Sequence, residues 1–365
     1  MDRAWQRASR YDAGPLRHLL CALVLGLLTL AGGARAAEAE GSLRVTGRLL
    51  LDGNAPRDFS DGTTPAQSAD WVLSLLAAGE GRYTADRWQL VGRYDVGGRK
   101  YLFFPQEDAL VQAAALEGSL ALGSALGLGV EGRGKDRRGG SRAYTDGGAA
   151  LFAEYAPDAR LALRARTGLH RFLYWPAFAA SHGGLEVGLL ARYRLDRRHT
   201  FSLSGDYGAR HYSVQARPFP WIQPTPRPTR REDGALSVSA GWTYRGPLAL
   251  GVTYAYQEVG SNSFGETVVR HRLSASAGVR LPWSVMLLAQ GALGLSHYPD
   301  GVYLSPEIVL LEDDEGQNTL SLKLARPLGA HLDVELSYAA YGTRLPRNGL
   351  SYFRQVAGVG LTWRP

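Results

Sequence analysis

The sequence predicts an all-β fold, a closed antiparallel β-barrel of about sixteen strands, and three observations carry that prediction. After residue 36, apolar and polar residues alternate with a period of two over segments of roughly 9 to 15 residues. Turn-forming residues separate these segments from one another. No segment in that part of the chain has the apolar stripe of an amphipathic helix.

The alternation divides each segment into two faces. In LALRARTGL, Leu163 and its neighbours at period two are apolar, whereas Arg164 and Arg166 share the opposite face. In LEVGLLARYRL, Arg192 and Arg194 oppose an apolar face in the same way. The predicted strands are 42–52, 69–83, 87–97, 108–122, 125–134, 146–156, 159–174, 184–195, 199–213, 234–245, 247–258, 266–281, 284–297, 317–326, 330–344 and 349–363.

The connections between these strands are of two kinds. Every second connection is tight: TADR, GSAL, PDAR, DRRH, RGP, LPW and PLGA. The others are mostly longer, at 53–68, 103–108, 135–144, 175–184, 214–233 and 299–316. This pattern is typical of a transmembrane barrel with short periplasmic turns and longer surface loops. Closure follows because every backbone N–H and C=O within hydrocarbon needs a partner.

The last predicted strand, VAGVGLTW, resembles the C-terminal signal by which barrel proteins are recognised for insertion into bacterial outer membranes. Gly358, Leu361 and Trp363 fit that signal, whereas Val356 replaces its usual polar residue. Residues 37–365 are similar to porin-like bacterial outer-membrane β-barrels in general, with no single family indicated. The resemblance implies outer-membrane lipid and lipopolysaccharide as surroundings, and the barrel-assembly machinery as a partner during insertion.

Residues 1–36 predict a cleaved secretory signal peptide. A basic start precedes the short apolar run LLCALVLGLLTLA, and Ala34 and Ala36 supply the small residues of a cleavage site. The only cysteine, Cys21, lies in this segment. The formal charge of +7 falls to about +4 once 1–36 are removed, which gives no basis for a nucleic-acid partner.

Chemical motifs are few, and we expect no enzyme activity, cofactor or metal site. GLGVEG at 127–132 matches G-x-G-x-x-G, but a helix should follow a dinucleotide site and a loop follows here. Ser204, Asp206 and His211 come nearest to a hydrolytic constellation, without a spacing that requires contact. The acidic run 312–315 suits a solvated loop or a divalent cation, and the Pro-rich segment within 214–233 suits a flexible or an extended loop.

The predicted function is a channel in the bacterial outer membrane that passes small polar or anionic solutes by diffusion, with charged side chains setting selectivity. The predicted pore-lining residues are Arg160, Arg164, Arg166, Arg192, Arg194, Arg270, Arg272, Asp333 and Glu335. Strand seven lies opposite strand fifteen in a ring of sixteen, which predicts either a transverse field between basic and acidic sides or an unsorted mixture of charges. Two alternatives remain: the barrel of an envelope machine for polysaccharide export or surface motility, and a membrane-embedded hydrolase.

Overall fold

The computed structural model describes residues 37–56, 68–139, 143–175, 177–222, 227–300, 318–344 and 351–365. The predicted signal peptide and the acidic run 312–315 lie outside these residues, as does part of the Pro-rich segment. Within the described residues, no helix is both long and apolar enough to cross a membrane.

Sixteen strands form one sheet, which confirms the predicted fold class and number of strands. They are β1 Ala37–Asp52, β2 Asp70–Ala85, β3 Trp88–Tyr101, β4 Ala109–Ala121, β5 Leu126–Arg138, β6 Tyr144–Tyr155, β7 Leu161–Tyr174, β8 His182–Arg194, β9 His199–Gln215, β10 Arg230–Arg245, β11 Leu248–Ser261, β12 Val268–Arg280, β13 Met286–His297, β14 Asn318–Pro327, β15 Leu332–Arg344 and β16 Ser351–Trp363. Each strand pairs antiparallel with its neighbours in sequence, and β1 pairs with β16.

The seam between β1 and β16 closes the barrel over eight residue pairs, from Val45–Trp363 to Asp52–Val356. The exposed side chains of Leu361 and Trp363 lie on the apolar outer face of β16, and Gly358 lies on its inner face. Each of these residues has a backbone partner on β1, so the predicted insertion signal also forms part of the closure.

The two faces of each strand separate as the alternation predicts. On β7, Leu163 and Leu169 are exposed on one face, and Arg164 and Arg166 lie on the other. The same face of every strand carries the apolar side chains, among them Leu73, Leu189 and many others. In a closed sheet this is the lipid-facing side, and the polar face lines the interior.

The connections sort by length around the barrel. Those after the even-numbered strands are short and lie at 86–87, 122–125, 156–160, 195–198, 246–247, 281–285 and 328–331. The longest connections follow odd-numbered strands, at 53–69, 216–229 and 298–317. The two ends of the barrel are therefore a short-turn end and a long-loop end.

Most strand boundaries differ from the sequence prediction by a few residues, and three regions show how. β1 begins at Ala37 rather than residue 42, because the ladder with β2 continues from Leu43–Gly79 down to Ala37–Ala85. The predicted loop 135–144 shrinks to 139–143, since Lys135 and Arg137 continue the alternation of β5 and pair with β6. The predicted loop 175–184 shrinks to 175–181, and Phe178–Ala180 form a single 3-10 turn within it.

Candidate functional site

The interior of the barrel carries most of the charged residues of the strands, and many of them form ion pairs with one another. Arg164 on β7 donates from Nη2 to Glu117 on β4 at 2.9 Å and to Glu131 on β5 at 2.6 Å. Its guanidinium also lies 3.6 Å from the centroid of the Phe152 ring on β6. Arg164 therefore joins four neighbouring strands.

Gly129, within the G-x-G-x-x-G match, has a structural role at this place. It lies on β5 beside Phe152, and a Cβ atom there would collide with the aromatic ring. The match lies in a strand and precedes no helix, so it lacks the structural context of a dinucleotide site.

Arg166 extends the pairing to β9. It donates to Glu131 at 3.2 Å and to Asp206 at 2.8 Å. Arg166, Gly188 and Asp206 occupy one cross-strand row on β7, β8 and β9. A Cβ atom at Gly188 would collide with both Asp206 and Arg166, so the glycine makes space for an ion pair that crosses a whole strand.

Further pairs continue across β5 to β8. Arg133 contacts Glu186 at 3.1 Å, over the intervening β6 and β7. His170 Nε2 lies 2.6 Å from Asp146 Oδ1. We call this group of side chains the ion-pair wall: Glu117, Glu131, Arg133, Asp146, Arg164, Arg166, His170, Glu186 and Asp206. Its members are partly shielded, so their pairing is stronger than that of fully exposed surface pairs.

The carboxylates predicted to face this wall have their own partners. Glu335 on β15 has 2% of its side chain exposed and forms ion pairs with Arg48 and Lys323. Asp333 pairs with Arg364. The predicted basic β7 and acidic β15 thus each carry their own counter-charges, so these two strands do not oppose unpaired positive and negative charges across the interior. Nearby partners prevail because two opposite charges in contact gain more than charges across a wide interior.

A second stretch of the interior holds no charge. Its hydroxyl side chains lie on the inner face of β9 to β12, towards the short-turn end, and we call it the hydroxyl wall: Ser202, Ser204, Ser239, Thr243, Thr253, Ser274 and Ser276. Ser204 and Ser239 share a hydrogen bond of 2.8 Å. Gly241 and Gly251 lie among these residues, and a Cβ at either would come within 2.7 Å of a serine hydroxyl oxygen.

The hydroxyl wall is flanked by arginines from the predicted set. Arg192 and Arg194 lie on the inner face of β8 and are exposed, and Arg272 lies on β12. Within the part of the chain that the structure describes, none of the three has an ion-pair partner. Arg270 lines a cavity of about 140 Å³ together with Ser237 and other inner residues.

Arg160 lies outside the wall of the barrel. It belongs to the short turn 156–160, where its amide donates to Asp158 Oδ1 at 2.7 Å and its carbonyl accepts from the Arg194 amide at 2.7 Å. Because β7 begins at Leu161 rather than residue 159, Arg160 lies at the rim of the short-turn end.

The structure does not bring the three candidate hydrolytic residues together. His211 lies on the outer face of β9 with its ring 3.5 Å from Glu232, whereas Ser204 and Asp206 lie on the inner face. Asp206 is paired with Arg166, and Ser204 with Ser239. Across the described ranges, no group of three potential His, Cys, Asp or Glu ligands has the geometry of a metal site.

Several interior residues are absent from the predicted set. The same alternation rule would have placed Glu117, Glu131 and Arg133 in the interior, since they share the face opposite Leu116 and Val130. Alternation does not predict which arginine each carboxylate contacts, because these contacts depend on the register across as many as four strands.

Comparison with known proteins supports the fold. No protein-family model matches the chain, and no curated protein matches it in sequence. Among solved structures, OmpF of Salmonella typhi in complex with daunomycin aligns with a TM-score of 0.51 at 11% identity, covering 90% of this chain and 97% of that one.

Two further similar structures score lower. A loop L8 deletion mutant of OmpT, an outer-membrane protein of Vibrio cholerae, has a TM-score of 0.47 at 9% identity, covering 91% of this chain and 100% of that one. A mutant of TodX, a monoaromatic hydrocarbon channel, has a TM-score of 0.39 at 10% identity, covering 92% and 91%. The closed sixteen-strand sheet and the alignment with OmpF together give the chain the fold of a transmembrane barrel.

Proposed function

We propose that this chain is a channel of the bacterial outer membrane through which small polar and anionic solutes diffuse. The observation that carries the proposal is the chemistry of the inner face, where a charged wall adjoins a hydroxyl-lined wall beside the exposed guanidinium groups of Arg192 and Arg194. Polar groups spread along a barrel interior replace part of the hydration of a passing solute.

In this proposal the side chains select solutes and perform no chemistry. Residues 1–36 act as a signal peptide that directs export to the periplasm and is then removed, and the strand ending at Trp363 directs insertion of the barrel. The short-turn end then faces the periplasm, as in other outer-membrane barrels. Arg192, Arg194 and the hydroxyl wall lie near that end.

The test is a conductance measurement with an internal control. The mature barrel in a planar bilayer should give stepwise currents, and liposomes that contain it should swell in solutions of small sugars and organic anions. Ser239→Cys and Val238→Cys place a thiol on adjacent positions of β10 that face inward and outward. A bulky thiol reagent should reduce the current through the Ser239→Cys protein only.

Two results would count against the proposal. One is an inserted, heat-modifiable barrel without conductance, which would favour the alternative of an envelope-machine component. The other is equal inhibition at both cysteines, which would show that the current does not run along the inner face of β10.

A further inference from the structure

We infer that the hydroxyl wall, together with Arg192, Arg194 and Arg272, is a binding track for acidic, polyhydroxylated solutes, that is, sugar acids and their short oligomers. The inference rests on the proposed channel function and names the class of solute that the track recognises. It is based on three cross-strand rows of inner residues near the short-turn end.

The first row runs from Arg192 on β8 through Ser202, Gly241 and Thr253 to Ser274 on β12. Adjacent strands lie about 4.8 Å apart, so this row extends over about 19 Å. Apart from its glycine, every member after the arginine carries a hydroxyl group. The row can therefore contact a solute longer than one sugar ring.

The two rows on either side also combine hydroxyl side chains with an arginine. Towards the turn, Arg194 is followed by Thr200, Thr243, Gly251 and Ser276. Towards the long-loop end, the row begins at Leu190 on β8, passes through Ser204, Ser239 and Ala255, and ends at Arg272. These three rows on β8 to β12 contain arginines and no carboxylate.

The carboxylates near the track are either engaged or distant. Asp206 lies on β9 next to the row of Ser204, and it is held by Arg166 at 2.8 Å. Glu154 lies two strands before Arg192, on β6. A negatively charged solute on the track therefore meets guanidinium groups without a competing carboxylate in its own rows.

The two kinds of side chain match the two parts of a sugar acid. A guanidinium group binds a carboxylate through two parallel hydrogen bonds. Serine and threonine hydroxyls both donate and accept, so they can exchange hydrogen bonds with sugar hydroxyls. A neutral sugar offers the arginines no carboxylate for a charge-assisted pair, and a carboxylate on a plain ring offers the hydroxyl wall no further hydroxyl groups. The small residues Gly241 and Gly251 keep the surface low enough for a ring to lie against it.

The experiment measures how three solutes reduce the chloride current of the mature barrel in a planar bilayer. D-glucuronate carries both groups, D-glucose carries the hydroxyls alone, and cyclohexanecarboxylate carries the charge on a ring without hydroxyls. We expect half-block by glucuronate at a concentration at least about tenfold lower than for the other two, which corresponds to about 1.4 kcal/mol.

Variants assign the effect to its parts. Arg192→Gln with Arg194→Gln should raise the half-blocking concentration of glucuronate about tenfold. Ser239→Ala with Thr253→Val and Ser274→Ala should make glucuronate and cyclohexanecarboxylate equivalent. Arg171→Gln, on the outer face of β7, is the matched control. It should change the half-blocking concentration of neither glucuronate nor cyclohexanecarboxylate.

The outcomes separate the two proposals. A conducting barrel that glucuronate and cyclohexanecarboxylate block equally well would overturn the sugar-acid track and leave the channel standing. A loss of glucuronate block in Arg171→Gln as large as in the double arginine variant would also overturn the track. Absence of conductance in the unmodified barrel would overturn both proposals together.

Discussion

The ion-pair wall and the hydroxyl wall arise from the same strand alternation, but they differ in how they stabilise the barrel and in how they contact a solute. In the ion-pair wall, Arg164 and Arg166 bind carboxylates that lie up to three strands away, so the side chains join strands beyond the backbone ladder. In the hydroxyl wall, short side chains reach only adjacent strands, as Ser204 reaches Ser239.

This difference assigns separate tasks to the two walls. Charges that are paired within the protein contribute rigidity, and each ion pair presents a weaker field to a solute than an unpaired charge does. The hydroxyls and the flanking Arg192 and Arg194 keep hydrogen-bonding capacity for a solute. Mutations in the first wall should therefore change stability, and mutations in the second should change selectivity.

The largest change in stability is expected from Glu131→Gln. Glu131 accepts from Arg164 at 2.6 Å and from Arg166 at 3.2 Å, so loss of its charge weakens two pairs at once. Because hydrogen bonds to charged groups contribute about 1.5–3 kcal/mol, we expect the free energy of unfolding to fall by about 2 kcal/mol. Denaturant unfolding in lipid vesicles measures it.

The control for this prediction is Glu154→Gln on the neighbouring strand β6. Glu154 lies on the inner face and has no ion pair among the described residues, so its replacement should be nearly neutral. Equal losses in the two variants would show that the ion-pair wall has no special part in stability.

A smaller loss is expected from Gly188→Ala. The added methyl group would displace Arg166 or Asp206 from the row that they share with Gly188. We expect a cost of about 1 kcal/mol, because overpacking of a tight site is destabilising. Gly205→Ala on β9 is the matched control, since a Cβ there meets no atom within 4 Å. A Gly188→Ala barrel of unchanged stability that retains the ion pair between Arg166 and Asp206 would contradict the role of the glycine.

The hydroxyl wall should tolerate substitution. Thr253→Val keeps the shape of the side chain and removes a hydroxyl for which no hydrogen bond occurs among the described residues. We expect the free energy of unfolding to change by less than about 0.5 kcal/mol. A loss similar to that of Glu131→Gln, in the same unfolding assay, would remove the distinction between the walls.

The smallest effect concerns the turns before β7 and β9. The first turn precedes a strand of the ion-pair wall, and the second precedes a strand that carries part of the hydroxyl wall. In each turn an aspartate accepts hydrogen bonds from two backbone amides. The amides of Leu161 and Arg160 hold the pKa of the Asp158 carboxyl below its ordinary value, and those of Arg198 and His199 do so for Asp196. Stabilisation of each turn is therefore complete above the unfolded pKa of about 3.9 and is lost as pH falls through the lower folded value.

Amide exchange as a function of pH measures this effect. Protection of the Leu161 and His199 amides should fall together in acid, and Asp158→Asn should remove the pH dependence at the first turn only. Acid sensitivity at one turn without the other would show that the wall, rather than the aspartate, controls the stability of its turn.

Sequence rules that involve only neighbouring residues predict the barrel fold, but they predict the contacts in its interior only in part. Alternation and turn residues predict sixteen strands because both are properties of neighbouring residues, and the closure between Val45 and Trp363 then follows from the need to pair every backbone group. The ion pair between Arg166 and Asp206 spans forty residues and depends on a glycine, Gly188, on the strand between them. Alternation fixes the face of a side chain but not the register that chooses its partner.

The central claim is that the arginines beside the hydroxyl wall, and not those of the ion-pair wall, leave a charge for the solute. The reversal potential in a salt gradient tests it most directly, with two variants that each replace two charged residues. Arg192→Gln with Arg194→Gln removes two unpaired positive charges. Arg164→Gln with Glu131→Gln removes one positive and one negative charge, and with them three ion pairs, so the total charge stays unchanged.

Salt screens charges beyond about 8–10 Å, so each variant reports on solutes that pass close to its own wall. We predict an anion-selective barrel whose reversal potential shifts towards cations in Arg192→Gln with Arg194→Gln and stays unchanged in Arg164→Gln with Glu131→Gln. Equal shifts in the two variants, or an unmodified barrel that prefers cations, would contradict the account.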